Sequence, residues 1–326
     1  MKTEAIRIEK HGGPEVLKLV ETALPKPAHD EVQIEHRAIG LNFIDTYYRT
    51  GLYSQPLPHG LGFEAAGVVV AKGSAVTEFE IGDRVAYAQG PLGAYARARN
   101  ISAAHVVPLP QSVSFEDAAA ILLKGLTVHM LFRQVYRLQG GETILFHAAA
   151  GGVGLIACQW ARELGVRLIG TVSNHEKARL VRAYGAWEVI NYKTEKVPER
   201  VLELTGGHKL PVVYDGVGKD TWADSLDCVE PRGLMVSFGN ASGPVEGVSL
   251  ATLAQKGSLY VTRPVLFHHT NTPQKLRSAA KDLFKLVRKG RIRADIGQRF
   301  SLQEAGKAQQ ALVSRNTTGS TIFTLD

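Results

Sequence analysis

Apolar and polar residues alternate over short runs from the start of the chain to about residue 110, as in Glu31-Val32-Gln33-Ile34-Glu35-His36-Arg37 and in the charged N-terminus Lys2-Thr3-Glu4-Ala5-Ile6-Arg7-Ile8. Turns such as Gly12-Gly13-Pro14 and Gly82-Asp83 break them, so the period of two predicts an all-β body. The pattern changes at Ser114-Phe115-Glu116-Asp117, where Ser114 with Asp117 three positions on predicts a helix cap ahead of an alanine-rich run. From there short β-branched runs at 143–146, 168–172, 189–191, 212–215 and 234–238 alternate with helical patterns at 155–164, 176–184, 199–204 and 222–228. Strands separated by helices of that length need right-handed crossovers, which predicts a parallel, doubly wound sheet. Beyond about residue 265 come a long helix at 273–288, a strand at 296–300, a helix at 302–313 and a last strand at 320–325. The predicted fold class is α/β, with a nucleotide-binding unit at 125–265 inserted between two segments, 1–124 and 266–326, of a β domain.

Composition narrows the function classes. A chain of 326 residues with 2 cysteines is not a disulfide-built scaffold, and Cys158 and Cys228 read as reduced, buried thiols of a cytoplasmic protein. The charged N-terminus has no apolar core for a signal peptide. The apolar stretch from Ile144 to Cys158 is interrupted by His147 and three glycines and is too short to span a bilayer, so no membrane segment is expected. The net charge of +7 and the pI near 9.3 raise nucleic-acid binding, but much of the excess lies in 275–293. There Leu276, Ala279, Ala280, Leu283, Leu286 and Val287 recur at helical spacing, which makes the basic residues a solvated helix face. A basic protein equally suits a polyanionic cofactor.

Such a cofactor has a candidate cradle. The segment from Glu142 to Leu155 runs from a strand through Ala148-Ala149-Ala150-Gly151-Gly152-Val153-Gly154 into an apolar helix. It departs from G-x-G-x-x-G in its first glycine, yet the strand, turn and helix are in the right order. Gly151 and Gly152 let backbone approach a pyrophosphate, Gly154 lets helix pack on strand, and the helix N-terminus supplies free N–H groups. A tight turn without a ligand is the alternative. The next strand ends in Ser173 where an NAD site carries an acid, and Lys177 follows one helical turn later, a pairing that suits the 2′-phosphate of NADPH. Glu176 reads as a first-turn helix acid.

The segments GLNFIDTYYRTGLY (40–53), LGFEAAGVV (61–69), GDRVAY (82–87), LKGLTV (123–128), HAAAGGVG (147–154), VVYDGVG (212–218) and GLMVSFGNASG (233–243) resemble the medium-chain dehydrogenase/reductase superfamily. The variant is similar to the zinc-free NADPH:quinone oxidoreductases related to ζ-crystallin, and the resemblance runs from Ile6 to Thr324. It implies a GroES-like catalytic domain, a Rossmann domain, a cleft between them, and homodimers joined through the Rossmann sheet. Zinc-containing relatives carry Cys where this chain has Asn42 and His where it has Phe63, and 2 cysteines cannot build a four-cysteine structural zinc loop. Alcohol oxidation then lacks its Lewis acid, whereas reduction of a small quinone by the nicotinamide needs mainly positioning.

The same resemblance assigns Asn42, Phe43, Asp45 and Tyr47 to the nicotinamide end, with Tyr47 and Tyr53 fitting a quinone contact and loop packing equally. Thr127 and Met130 share a helix face beside the nicotinamide, Met130 reading equally as core. Gly152 and Val153 fall at the pyrophosphate, and Ser173, Lys177 and Tyr192 at the 2′-phosphate. Val217, Phe238 and Gly239 follow the fourth and fifth strands, where such folds bind ligands. Arg263 and Leu266 are assigned near nicotinamide and substrate and Arg315 at the cofactor's anionic groups, with plain surface positions as the alternative for both arginines. A second enzyme reading is an NADPH-dependent enone or enal reductase, its acceptor pocket shaped by loops at 47–60 and 267–272. A reading from another class is a nucleic-acid-binding or structural, crystallin-like protein, but no basic tract with interleaved aromatics supports it.

Overall fold

The computed structural model describes residues 2–314 and 317–325. The chain divides into two compact units, one running to Leu126 and resuming at Thr270, the other Thr127–His269. In the first, β1 (Lys2–Ile8) pairs antiparallel with β2 (Lys18–Ala23), and β3 (Glu31–Leu41) is the central strand of a larger sheet. Here the all-β expectation fails, because β3 leads into a helix, α1 (Phe43–Thr50). Asp45 accepts a hydrogen bond from the Asn42 amide at 2.9 Å, closing the first turn, and Gly51 in the left-handed region at φ 82 ends the helix. The segment read as a loop from Tyr47 is therefore helical as far as Thr50. A short β4 (His59–Gly60) joins β1, and β5 (Glu64–Lys72), β6 (Arg84–Tyr87), β7 (Ala98–Ser102) and β8 (Val106–Pro108) complete this part of the chain. The core between these strands is built from Ile6, Ile34, Ile39, Val69, Tyr87 and Tyr95, all buried.

Ser114 caps α2 (Phe115–Met130) as its spacing predicts, accepting from the Asp117 amide at 2.9 Å and donating to the Asp117 carboxylate at 2.7 Å. With one π turn, Phe115–Val135 forms a 21-residue helix long and apolar enough to cross a membrane, but 78% of its most apolar window is buried inside the protein. Its apolar run is therefore core, a use of 115–135 that inspection of 144–158 alone does not reveal.

The second unit is the alternating pattern realised. β9 (Thr143–Phe146), α3 (Gly152–Glu163), β10 (Arg167–Val172), α4 (His175–Ala183), β11 (Glu188–Asn191), α5 (Val197–Thr205), β12 (Leu210–Asp215), α6 (Trp222–Cys228), β13 (Val229–Ser237), α7 (Leu250–Gln255), β14 (Tyr260–Thr262) and α8 (Leu266–His269) follow in order. The segment read as a loop from Phe267 is helical to His269. All six strands pair in parallel, in the order β11-β10-β9-β12-β13-β14. Chain order reverses between β9 and β12, the switch point at which such sheets bind ligands beyond their carboxyl ends. Leu145 lies in register with Ile169 on one side and Val213 on the other, and all three are buried in one apolar cluster.

The chain then returns to the first unit through α9 (Pro273–Arg288), β15 (Ile296–Ser301), α10 (Ala305–Val313) and β16 (Ser320–Thr324), giving the sheet β15-β16-β3-β5-β6-β8 with β7 also on β3. Leu276, Ala279, Ala280, Leu283 and Phe284 of α9 are buried while Lys281, Lys285 and Arg288 are exposed, so the basic stretch is a solvated helix face. Gly67 on β5 faces β3 so closely that a Cβ there would overlap the Glu35 carbonyl oxygen. Gly67→Ala must push the two strands apart, and about 1–3 kcal/mol of stability should be lost. Urea denaturation measures it; an unchanged midpoint would show that the strands yield freely.

Candidate functional site

Beyond β9 the chain turns through His147–Gly151, with Ala148 in the left-handed region at φ 55 and its carbonyl accepting from the Gly151 amide at 3.1 Å. Helix α3 starts at Gly152, and its first internal bond runs from the Leu155 amide to the Gly151 carbonyl at 2.9 Å. The amides of Gly152, Val153 and Gly154 have no acceptor among the described residues. Three unpaired N–H groups at the positive end of a 12-residue helix, beside the switch point, form an anion cradle. Gly154 is obligatory, but for a contact other than the expected one: its Cβ would lie 2.5 Å from Cα and O of Ala149, in the loop rather than in the strand.

Val172 at the end of β10 is in register with Asn191 at the end of β11, and the Tyr192 amide donates to the Val172 carbonyl at 3.1 Å. The register thus brings Ser173 and Tyr192 to the same edge. Asn174 caps α4 by accepting from the Lys177 amide at 2.8 Å, which fixes Lys177 in the first turn. Lys193, missed in the sequence, lies with its ammonium 5.7 Å from the Tyr192 ring centroid. Glu195 accepts from the Asn191 amide and pairs with Arg200 at 3.2 Å, so the acid of this turn is engaged within it. Val217 follows β12, and its amide donates to Asp215 at 2.7 Å. Phe238 packs on Phe146 at 5.5 Å between ring centroids, and a Cβ on Gly239 would overlap the Gly216 backbone. Arg263 donates to the Gly239 carbonyl at 2.9 Å and to Ser237 at 3.2 Å, so it is tied to this edge. Leu266 opens α8, Thr127 is half-buried, and Met130 packs in the interior at 2% exposure. Arg315 lies outside the described residues.

In the first unit Asn42, at the start of α1, is buried and donates from Nδ2 to Glu64 at 2.7 Å. Glu64 also accepts from the Leu123 amide at 2.7 Å and pairs with the Lys124 ammonium at 3.4 Å, with both side chains buried. A lone acid in an apolar strand and a lone cation in an apolar helix signal this pair in the sequence. Phe43, Tyr47 and Tyr53 pack in series, tilted and then edge to face, with ring centroids 5.7 and 5.1 Å apart. Phe63 packs on Tyr48 at 5.4 Å. Asp45, assigned by the resemblance to the nicotinamide end, is fully buried, and besides the Asn42 amide it accepts from the Tyr95 hydroxyl at 2.8 Å. These two bonds tie the start of α1 to Tyr95. Asn42 and Phe63 offer neither thiolate nor imidazole, and no group of three or more His, Cys, Asp or Glu among the described residues is arranged to hold a metal ion.

Two family models match the chain, an alcohol dehydrogenase GroES-like domain over residues 28–111 and a zinc-binding dehydrogenase over 152–281. Together with the parallel sheet and glycine turn they define a medium-chain dehydrogenase/reductase. A quinone oxidoreductase of Pseudomonas aeruginosa is 62% identical over 319 residues, covering 98% of each chain. The crystal structure of Escherichia coli quinone oxidoreductase complexed with NADPH matches with a TM-score of 0.98 at 54% identity, covering 99% of this chain and 100% of that one. A 2-haloacrylate reductase of Burkholderia is 40% identical over 324 residues, 97% of each chain. Within that superfamily, the chain belongs to the quinone oxidoreductases.

Burial pushes the Asp45 carboxyl up to about 7, against the lowering effect of its two hydrogen bonds and of Lys124. The folded chain therefore keeps this proton over a pH range in which the unfolded chain has lost it, and the group's contribution to stability falls as pH rises from about 4 to 7. Asp45→Asn keeps an acceptor without the charge. Relative to the unsubstituted protein, it should gain stability between pH 5 and pH 8 in denaturant titrations; a constant difference would overturn this assignment.

Proposed function

We propose that the protein reduces small quinones with NADPH and without a metal. The anion cradle of Gly152, Val153 and Gly154 carries the reading, since three unpaired amides at a switch-point helix suit a pyrophosphate. Ser173, Lys177, Tyr192 and Lys193 gather at the neighbouring strand ends and suit a 2′-phosphate, which an acid at Ser173 would repel. The bound nicotinamide supplies a hydride. Val217, Phe238, Gly239, Arg263, Leu266 and Thr127 are proposed to hold its end of the cofactor, and Asn42, Phe43, Tyr47 and Tyr53 to position it and the acceptor. The Phe43–Tyr47–Tyr53 series brings together aromatic rings and phenol hydroxyls, which suit the flat ring and carbonyl oxygens of a quinone. With Asn42 and Phe63 in place of zinc donors, the work left to the side chains is orientation, and after the hydride one proton, from solvent or a nearby hydroxyl, completes the hydroquinone.

A second acceptor class, activated alkenes, is favoured by the 40% identity to a protein named 2-haloacrylate reductase. We also propose a homodimer in the cytoplasm. β14 is the edge of its sheet and leaves Tyr260, Val261, Val265 and Leu250 exposed, a surface suited to a second copy. Both cysteines are free and buried, which suits a reducing compartment.

With a naphthoquinone as acceptor and a chelator present, NADPH oxidation should be fast and NADH oxidation slow. Lys177→Ala should raise the KM for NADPH roughly tenfold and leave that for NADH nearly unchanged, the loss of one charge-assisted hydrogen bond. Equal use of both cofactors would sink the phosphate assignment, and turnover of enones without quinones would favour the second class. In sedimentation, the protein should run as a dimer and Tyr260→Glu as a monomer; a monomeric unsubstituted protein would overturn the edge pairing.

A further inference from the structure

His147 is 2% exposed and is the first residue after β9. Its Nδ1 lies 3.2 Å from the Thr171 hydroxyl of β10, and its Nε2 lies 3.1 Å from the Ser225 hydroxyl of α6. Ser225 donates to Asp215 Oδ2 at 2.8 Å, as does Thr221 at 2.7 Å, while Asp215 Oδ1 accepts from the amides of Val217 and Gly218 at 2.7 and 3.0 Å. The proton directions then follow in sequence. The Ser225 proton points at the carboxylate, so its oxygen accepts from Nε2–H of His147. Nδ1 is then bare and accepts the Thr171 proton, and the Thr171 oxygen accepts from the Ala148 amide at 3.2 Å. Every donor in the chain has an acceptor, with a neutral imidazole as its joint. Burial lowers the imidazole pKa against the opposing pull of Asp215 and Asp224, the charged groups that face it from β12 and α6; Thr171 of β10 brings no charge.

The chain's two ends are the loops that leave β9 and β12, the pair flanking the switch point. We propose that His147 is a positioning residue for NADPH: by bridging Thr171 to Ser225 and Asp215 it fixes the glycine turn relative to the 215–218 loop, and cofactor affinity depends on that bridge. The inference rests on the cofactor reading above and assigns a task to a histidine that no ligand needs to touch. It also accounts for Ala148, whose left-handed conformation is held by the hydrogen bond that its amide donates to the Thr171 hydroxyl oxygen.

Replacing the histidine risks the fold, so the test breaks the bridge at either side. Thr171→Val and Ser225→Ala should each raise the Kd for NADPH about three- to tenfold, as one lost hydrogen bond does, and the double variant should lose no more than the larger single effect. Thr171→Ser should restore affinity, and the KM for quinone should stay put. In the unsubstituted protein, nitrogen NMR at neutral pH should find His147 neutral, with its proton on Nε2 and its titration displaced below the ordinary histidine range. Additive losses, unchanged affinity in folded variants or an Nδ1–H signal would overturn the inference alone. Failure of the unsubstituted protein to bind NADPH would overturn the cofactor reading together with it.

Discussion

A side chain of any size at Gly154 would collide with the backbone of Ala149, and the nucleotide-binding unit is arranged around that contact. It lets α3 begin directly against the turn that leaves β9, so the first three helix amides emerge at the switch point without intervening chain. Gly170 on β10 is subject to the same crowding, since its Cβ would lie 2.7 Å from Cβ of Ala149. The small residues of this turn are thus set by a three-way approach of loop, helix and strand. The polarity of the site follows, because a helix can offer unpaired amides only at its start.

The first unit solves a different problem, that of placing polar groups where water does not reach. Glu64 is fully buried, and its two oxygens meet Leu123, Asn42 and Lys124, which spreads one negative charge over an amide, a carboxamide and an ammonium. Removing the Lys124 ammonium would strand a buried charge at a cost of about 3–5 kcal/mol. Asn42 therefore has two attachments: its amide to Asp45 sets the start of α1, and its side chain to Glu64 ties that start to β5. The aromatic series Phe43, Tyr47 and Tyr53 hangs from the helix so fixed.

The alternation of β-branched runs with helical patterns made the parallel unit legible, because strands buried on both faces have to be short and apolar. Helix α1 was not legible. Its sequence, FIDTYYRT, is rich in aromatic and β-branched residues of low helix propensity, and its buried side includes Asp45, Thr46 and Arg49, so no apolar stripe betrays it. The turn from 147 to 154 stood out through its glycines and Ser173 through the absent acid, both local features. Glu64 and Lys124 each stand out as a lone charge in an apolar run, but their pairing, like the place of Lys193, is set by tertiary packing that chain order hides.

The difference between local and distant signals extends to the histidine at the head of the glycine turn. In the sequence His147 only interrupts an apolar run. Strand register puts it to use: Leu145 opposite Ile169 and Val213 places the ends of β9, β10 and β12 side by side, so Thr171, His147 and Asp215 converge from positions 24 and 68 residues apart (171 − 147 and 215 − 147). A hydroxyl, an imidazole and a carboxylate are each costly to bury alone, and in series they satisfy one another. The parallel sheet thus brings together not only the amides that face an anion but also the buried polar chain that keeps the loops bearing those amides from drifting apart.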